Sequence, residues 1–85
     1  MKHLSQNEIA LLFILRTLSG ANPRKSVSVD TIMGHLAPDV RDYDFVSEIM
    51  MELEQGGLVR ADSRAPTHYA ITLAGLKEIL HLFGK

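Results

Sequence analysis

Apolar residues recur along this chain at changing periods, and the changes mark its elements. From Ile9 to Leu15 the sequence reads IALLFIL, apolar at every position. Ser5 and Glu8 ahead of it have the S-x-x-E spacing of a capping box, and Leu4 and Ile9 stand where a hydrophobic staple needs them. The pattern predicts a helix from Gln6 to Ser19 that stops at Gly20. A helix apolar on all sides must be covered on all sides. Its surplus face is expected to pack on the last helix and on a second subunit.

Gly20 to Lys25 (GANPRK) reads as a loop. Ser26-Val27-Ser28 is expected as a short strand, with Ser28 capping a second helix over Val29 to Leu36. That helix would bury Ile32, Met33 and Leu36, and Pro38 would end it. Asp42 caps a third helix. Its ridge of Val46, Ile49, Met50 and Leu53 recurs at spacings of three and four, and Gly56-Gly57 terminates it. Leu58 to Ala61 and His68 to Thr72 are expected as strands around the turn DSRAP, with Tyr69 and Ile71 on one face and His68 and Ala70 on the other. Thr72 caps a fourth helix expected to bury Leu76, Ile79, Leu80 and Phe83. The fold class is therefore α+β, mostly helical.

Eighty-five residues make one domain. A chain of this size buries about 60–65% of its unfolded surface and gains from pairing with a copy of itself. With 46% hydrophobic and 22% charged residues the composition is that of a folded globule. The net charge of −1 supplies no global field for nucleic acid, so any such contact needs a local basic patch. There is no cysteine, which excludes disulfides, thiol catalysis and cysteine-rich zinc sites and fits a cytoplasmic protein. The longest apolar run falls far short of the ~20 residues that span a bilayer and lacks the flanks of a signal peptide, so no membrane role is expected.

Two segments carry a family resemblance. LEQGGLV (Leu53 to Val59) resembles the end of a recognition helix running into a wing strand. YAITLAGLKEIL (Tyr69 to Leu80) resembles a second wing strand running into a C-terminal helix. Together with the element order they make the chain similar, along its length, to a winged helix-turn-helix domain of the small MarR or PadR type. The resemblance implies a single winged-helix domain over residues 1–85 and a dimeric DNA-binding regulator of transcription. The chain departs from the pattern in three places. The turn APDVR between the second and third helices is longer than usual. Asp44, Phe45, Ser47, Glu48 and Met51 occupy the positions that would face DNA, with no base-reading Arg, Lys, Asn or Gln among them. Leu73 and Ala74 are apolar where the family is usually charged.

Helix 3 is acidic: Asp42, Asp44, Glu48, Glu52 and Glu54 stand against Arg41. The helix dipole favours Asp42 and Asp44 and disfavours Glu52 and Glu54. Asp44–Glu48 and Glu48–Glu52 are like-charge pairs costing roughly 0.2–0.5 kcal/mol each. The plainest account is a solvated face. Two others remain open: the acids meet a basic partner protein, or they neutralise Arg41, Arg60 or Arg64 within the fold or dimer. Any of these argues against simple insertion of the helix into a groove lined by phosphates.

Arg60, Arg64 and His68 on the expected wing, Arg24 and Lys25 on the loop after helix 1, and Arg41 ahead of helix 3 are the candidate phosphate contacts, with Ser47 on helix 3. The expected homodimer contact is Ile9, Leu11, Ile14, Leu15, Leu73, Leu76, Ile79 and Phe83. The four histidines have no metal-ligand spacing; Glu78 and His81, three apart, read as a surface pair. No nucleophile stands beside a base, and Gly56-Gly57 ends a helix where a phosphate loop would begin one. No enzyme, cofactor or metal is expected. The two functions carried forward are binding of double-stranded DNA and a winged-helix protein-interaction module that docks a basic partner through helix 3.

Overall fold

A computed structural model describes residues 4–83 of the chain. The elements run α1 (Gln6–Ser19), β1 (Val27–Ser28), α2 (Val29–Met33), a 3-10 turn (Pro38–Val40), α3 (Tyr43–Gln55), β2 (Val59–Asp62), β3 (Ala65–Ile71) and α4 (Leu73–Phe83). The strands form an antiparallel sheet in the order β1-β3-β2. The architecture is a mostly helical α+β domain.

Local chemistry sets most boundaries. Ser5 accepts from the Glu8 amide at 3.2 Å, and the Glu8 carboxylate accepts from the Ser5 amide at 3.0 Å, which closes the capping box. Gly20, at φ 62°, ends α1 in the left-handed conformation. Ser28 caps α2 by accepting from the Thr31 amide, and Asp42 caps α3 by accepting from Asp44 and Phe45.

Three elements differ from expectation. α2 stops at Met33, with Gly34 as its cap, and the residues up to Leu36 form turns. The Arg41 guanidinium reaches back and donates to the carbonyls of Met33 (3.1 Å) and Leu36 (2.8 Å), satisfying acceptors that a longer helix would have paired internally. β3 begins at Ala65 rather than His68, so the hairpin turn is the pair Ser63-Arg64. Its register shifts between Ala61, opposite Tyr69, and Asp62, opposite Ala65. His68 lies within that irregular stretch and pairs with Ser28 of β1. Ala70, on the strand face opposite Tyr69 and Ile71, is buried as they are, because a small residue in the central strand is covered by its neighbours.

The core joins all four helices to the sheet. Leu11, Leu12 and Leu15 of α1 meet Val29 and Ile32 of α2, the α3 ridge Val46, Ile49, Met50 and Leu53, Val59, Tyr69 and Ile71 of the wing strands, and Ile79 of α4. Leu80 and Phe83, expected inside, are 62% and 57% exposed. α4 presents Gly75 and Ile79 to the core, which turns the Leu80 side outward.

Candidate nucleic-acid interface

The loop before β1 and the β2–β3 hairpin are far apart in sequence and close in space. Arg60 donates to the Pro23 carbonyl at 3.1 Å, which fixes the hairpin beside Arg24. Ser26 donates to the Asp62 carboxylate at 3.1 Å, which fixes the hairpin tip beside Lys25. Lys25 and His68 line one open depression of about 420 Å³ together with Leu18, Ser26, Val27, Ser28 and Thr31. Five of the seven expected phosphate contacts, Arg24, Lys25, Arg60, Arg64 and His68, therefore share one edge of the molecule. Arg24, Lys25 and Arg64 are exposed and make no side-chain hydrogen bond among the described residues.

One carboxylate lies within this edge. Asp62 accepts from the Arg64 amide at 2.9 Å and from the Ser26 hydroxyl. The Arg64 amide most of all, then the Ser26 hydroxyl and the charges of Arg64 and His68, hold its pKa below the ordinary 3.8. Asp62 thus shapes the tip and removes part of its positive charge. Sequence reading passed over both Ser26 and Asp62; the signal was a small polar residue and an acid each next to an expected contact.

Arg41 and Ser47 stand apart from this group. Arg41 spends its donors on the end of α2, as described above, and Ser47 lies half-buried on α3. The outward face of α3 carries Asp44, Glu48 and Glu52, all exposed, with Phe45 37% and Met51 53% exposed beside them. Arg41 and Arg60 donate their side-chain hydrogen bonds to backbone carbonyls rather than to these acids. Glu54 has a separate task, accepting from the Ala61 amide at 3.3 Å and so tying α3 to the edge strand β2. Beneath it Tyr69 is buried, and burial, with the charges of Glu54 and Tyr43, raises its phenol above 10.0.

The expected dimer residues divide into two groups. Leu11, Leu15 and Ile79 are at most 4% exposed and belong to the core of the single chain, so they are not available to a partner. Ile9, Ile14 and Leu76 are half-buried, and Leu73 and Phe83 are exposed. Among the described residues no group of three or more His, Asp or Glu is placed to hold a metal ion. No helix among them is long and apolar enough to cross a membrane.

No protein-family model, no curated protein and no solved structure matches this chain. The class defined here is a small α+β domain, four α-helices on a three-stranded antiparallel sheet among the described residues, with a cationic edge made by one loop and one hairpin.

Proposed function

We propose that this is a small winged-helix protein that binds double-stranded DNA, acting in the regulation of transcription. The helix, strand, helix, helix, hairpin, helix order is compatible with a winged helix, the β2–β3 hairpin being the wing. The observation that carries the reading is the gathering of Arg24, Lys25, Arg60, Arg64 and His68 on one edge from two distant segments. Phosphates are held by such cations, and the held phosphates fix the protein on the duplex without reading bases.

The grip differs from simple insertion of α3. A face carrying Asp44, Glu48 and Glu52 repels the phosphate rows that line a major groove, and it lacks the bidentate donors that read base edges. Binding is therefore through the backbone and weak in sequence preference. With about four phosphates neutralised, by Arg24, Lys25, Arg60 and Arg64, log affinity falls against log salt with a slope of about −3 to −4.

The test is a gel-shift with random duplex DNA at low and at moderate salt. Retardation at low salt that disappears at moderate salt supports the proposal, and no retardation at low salt removes it. The second reading, a module that docks a basic protein, is favoured by the exposed Phe45 and Met51 among the α3 acids. Replacing Glu48 and Glu52 with Gln separates the two. The swap strengthens binding to DNA held at the cationic edge and weakens binding to a basic protein on α3.

A further inference from the structure

The depression that Lys25 and His68 line holds hydrogen-bond donors with nothing to donate to. Ser28 Oγ lies 2.7 Å from Thr31 Oγ1 and also accepts from the Thr31 amide at 3.1 Å. Whichever hydroxyl donates to the other, the second keeps its own hydrogen free, and both residues line the depression. Lys25 on the same rim is exposed, and its ammonium makes no side-chain hydrogen bond among the described residues. His68 lines it from β3. When Nδ1 of His68 accepts from the Thr67 hydroxyl, at 3.4 Å, Nε2 carries the ring hydrogen and is left to donate. The nearby carboxylates do not fill the space. Asp62 is held by the Ser26 hydroxyl and the Arg64 amide, and neither it nor Asp30 is among the lining residues.

We infer that this depression is a discrete seat for one phosphate group. The Lys25 ammonium, the spare hydroxyl hydrogen of the Ser28–Thr31 pair and Nε2 of His68 hold it. These donors come from the loop, from the junction of β1 with α2 and from β3, so they meet an occupant on separate sides. A tetrahedral phosphate offers an oxygen to each, whereas a planar carboxylate has two oxygens and leaves one donor over. Leu18 and Val27 complete the lining with apolar surface, over which a charge is screened less than in open water. With about 420 Å³ the depression also admits what the phosphate is attached to. The group arrives as a free phosphate or as one phosphodiester of a duplex. The duplex case rests on the DNA reading and the free case does not. Where both occur they compete for the seat, so free phosphate releases DNA more than its ionic strength accounts for.

An NMR titration of the full chain with inorganic phosphate, against sodium chloride at equal ionic strength, tests the seat. The amide signals of Lys25, Ser28, Thr31 and His68 are expected to move and saturate at one site, with a dissociation constant on the order of 1 mM. Lys25→Gln is expected to weaken phosphate about fivefold or more, and Arg64→Gln, which removes an equal charge outside the lining, to stay within about twofold. Both positions are exposed, so both variants keep the fold. Shifts no larger than those with chloride, or equal weakening by the two variants, overturn the seat and leave only a diffuse positive field. A gel-shift then separates the sources. Phosphate that releases random duplex DNA beyond the chloride control supports one shared seat. Phosphate that titrates while no duplex binds at low salt removes the DNA reading and leaves a seat for free phosphate.

Discussion

The hydroxyl of Thr72 donates to the carbonyl of Gly57 at 2.6 Å, joining the end of α3 to the start of α4 across the whole hairpin. The same oxygen accepts from the Gly75 amide at 3.0 Å, and the Thr72 amide donates to the Leu58 carbonyl at 3.1 Å. One side chain therefore caps α4 and closes the base of the wing. Thr72→Val keeps the shape and removes the hydroxyl, leaving the Gly57 carbonyl and the Gly75 amide without it. The expected loss is about 1–2 kcal/mol in urea unfolding, and Thr72→Ser is expected to keep most of it.

Gly75 is where the backbones come closest. A Cβ there would collide with the Leu58 carbonyl oxygen and stand 2.8 Å from Cγ1 of Ile71. The carbonyl is fixed by Thr72 and cannot yield. Gly75→Ala is expected to cost about 1–3 kcal/mol. Gly56→Ala is the control, because Gly56 has helical dihedrals and a Cβ there meets ordinary contacts at 3.6 Å. It is expected to be neutral or stabilising by up to about 1 kcal/mol. Comparable losses for the two in thermal unfolding would contradict this account of the junction.

Arg41 is a fastener of the chain by geometry. Its two bonds to the carbonyls of Met33 and Leu36 hold the end of the shortened α2. Arg41→Ala is expected to lower stability by about 1–2 kcal/mol, and Arg41→Lys to recover only part because an ammonium cannot reproduce the fork. Neither changes the salt dependence of DNA binding. A flatter salt dependence in Arg41→Ala would return this residue to the interface.

Asp62 ties stability to acid. Its folded pKa lies below the ordinary 3.8, so its contribution is fully present above that value and is lost as pH falls through the folded value. The native chain is expected to have a higher urea midpoint than Asp62→Asn at neutral pH, with the gap closing below the ordinary carboxylate range. A gap that persists unchanged in acid would show that the charge of Asp62 is not what the Arg64 amide and Ser26 hold.

Much of this was legible in the chain because local chemistry fixed it. The Ser5–Glu8 box, the Asp42 cap, the ridge Val46, Ile49, Met50 and Leu53, and Thr72 all act within a few residues, where spacing predicts contact. What stayed hidden depends on long-range approach. The end of α2 was missed because Arg41, eight residues beyond Met33, supplies the caps. The start of β3 was missed because Pro66 and the register shift mask its alternation. Leu80 and Phe83 were placed inside because a helix with two apolar stripes does not reveal which one its neighbours cover. The basic residues of the edge are visible in the sequence one by one, while the Arg60–Pro23 and Ser26–Asp62 contacts that assemble it are 37 and 36 residues apart in sequence.

The central claim is that DNA is gripped through the loop and hairpin edge. Its most direct test is the salt dependence of duplex binding for the native chain and for Lys25→Ala/Arg64→Ala. Both positions are exposed and hold nothing else through side-chain hydrogen bonds among the described residues, so the fold is left intact. The account predicts that the slope of log affinity against log salt becomes shallower by about 2, with weaker binding on every sequence tried. An unchanged slope with unchanged affinity would contradict it and place the phosphates, or the partner, elsewhere on the molecule.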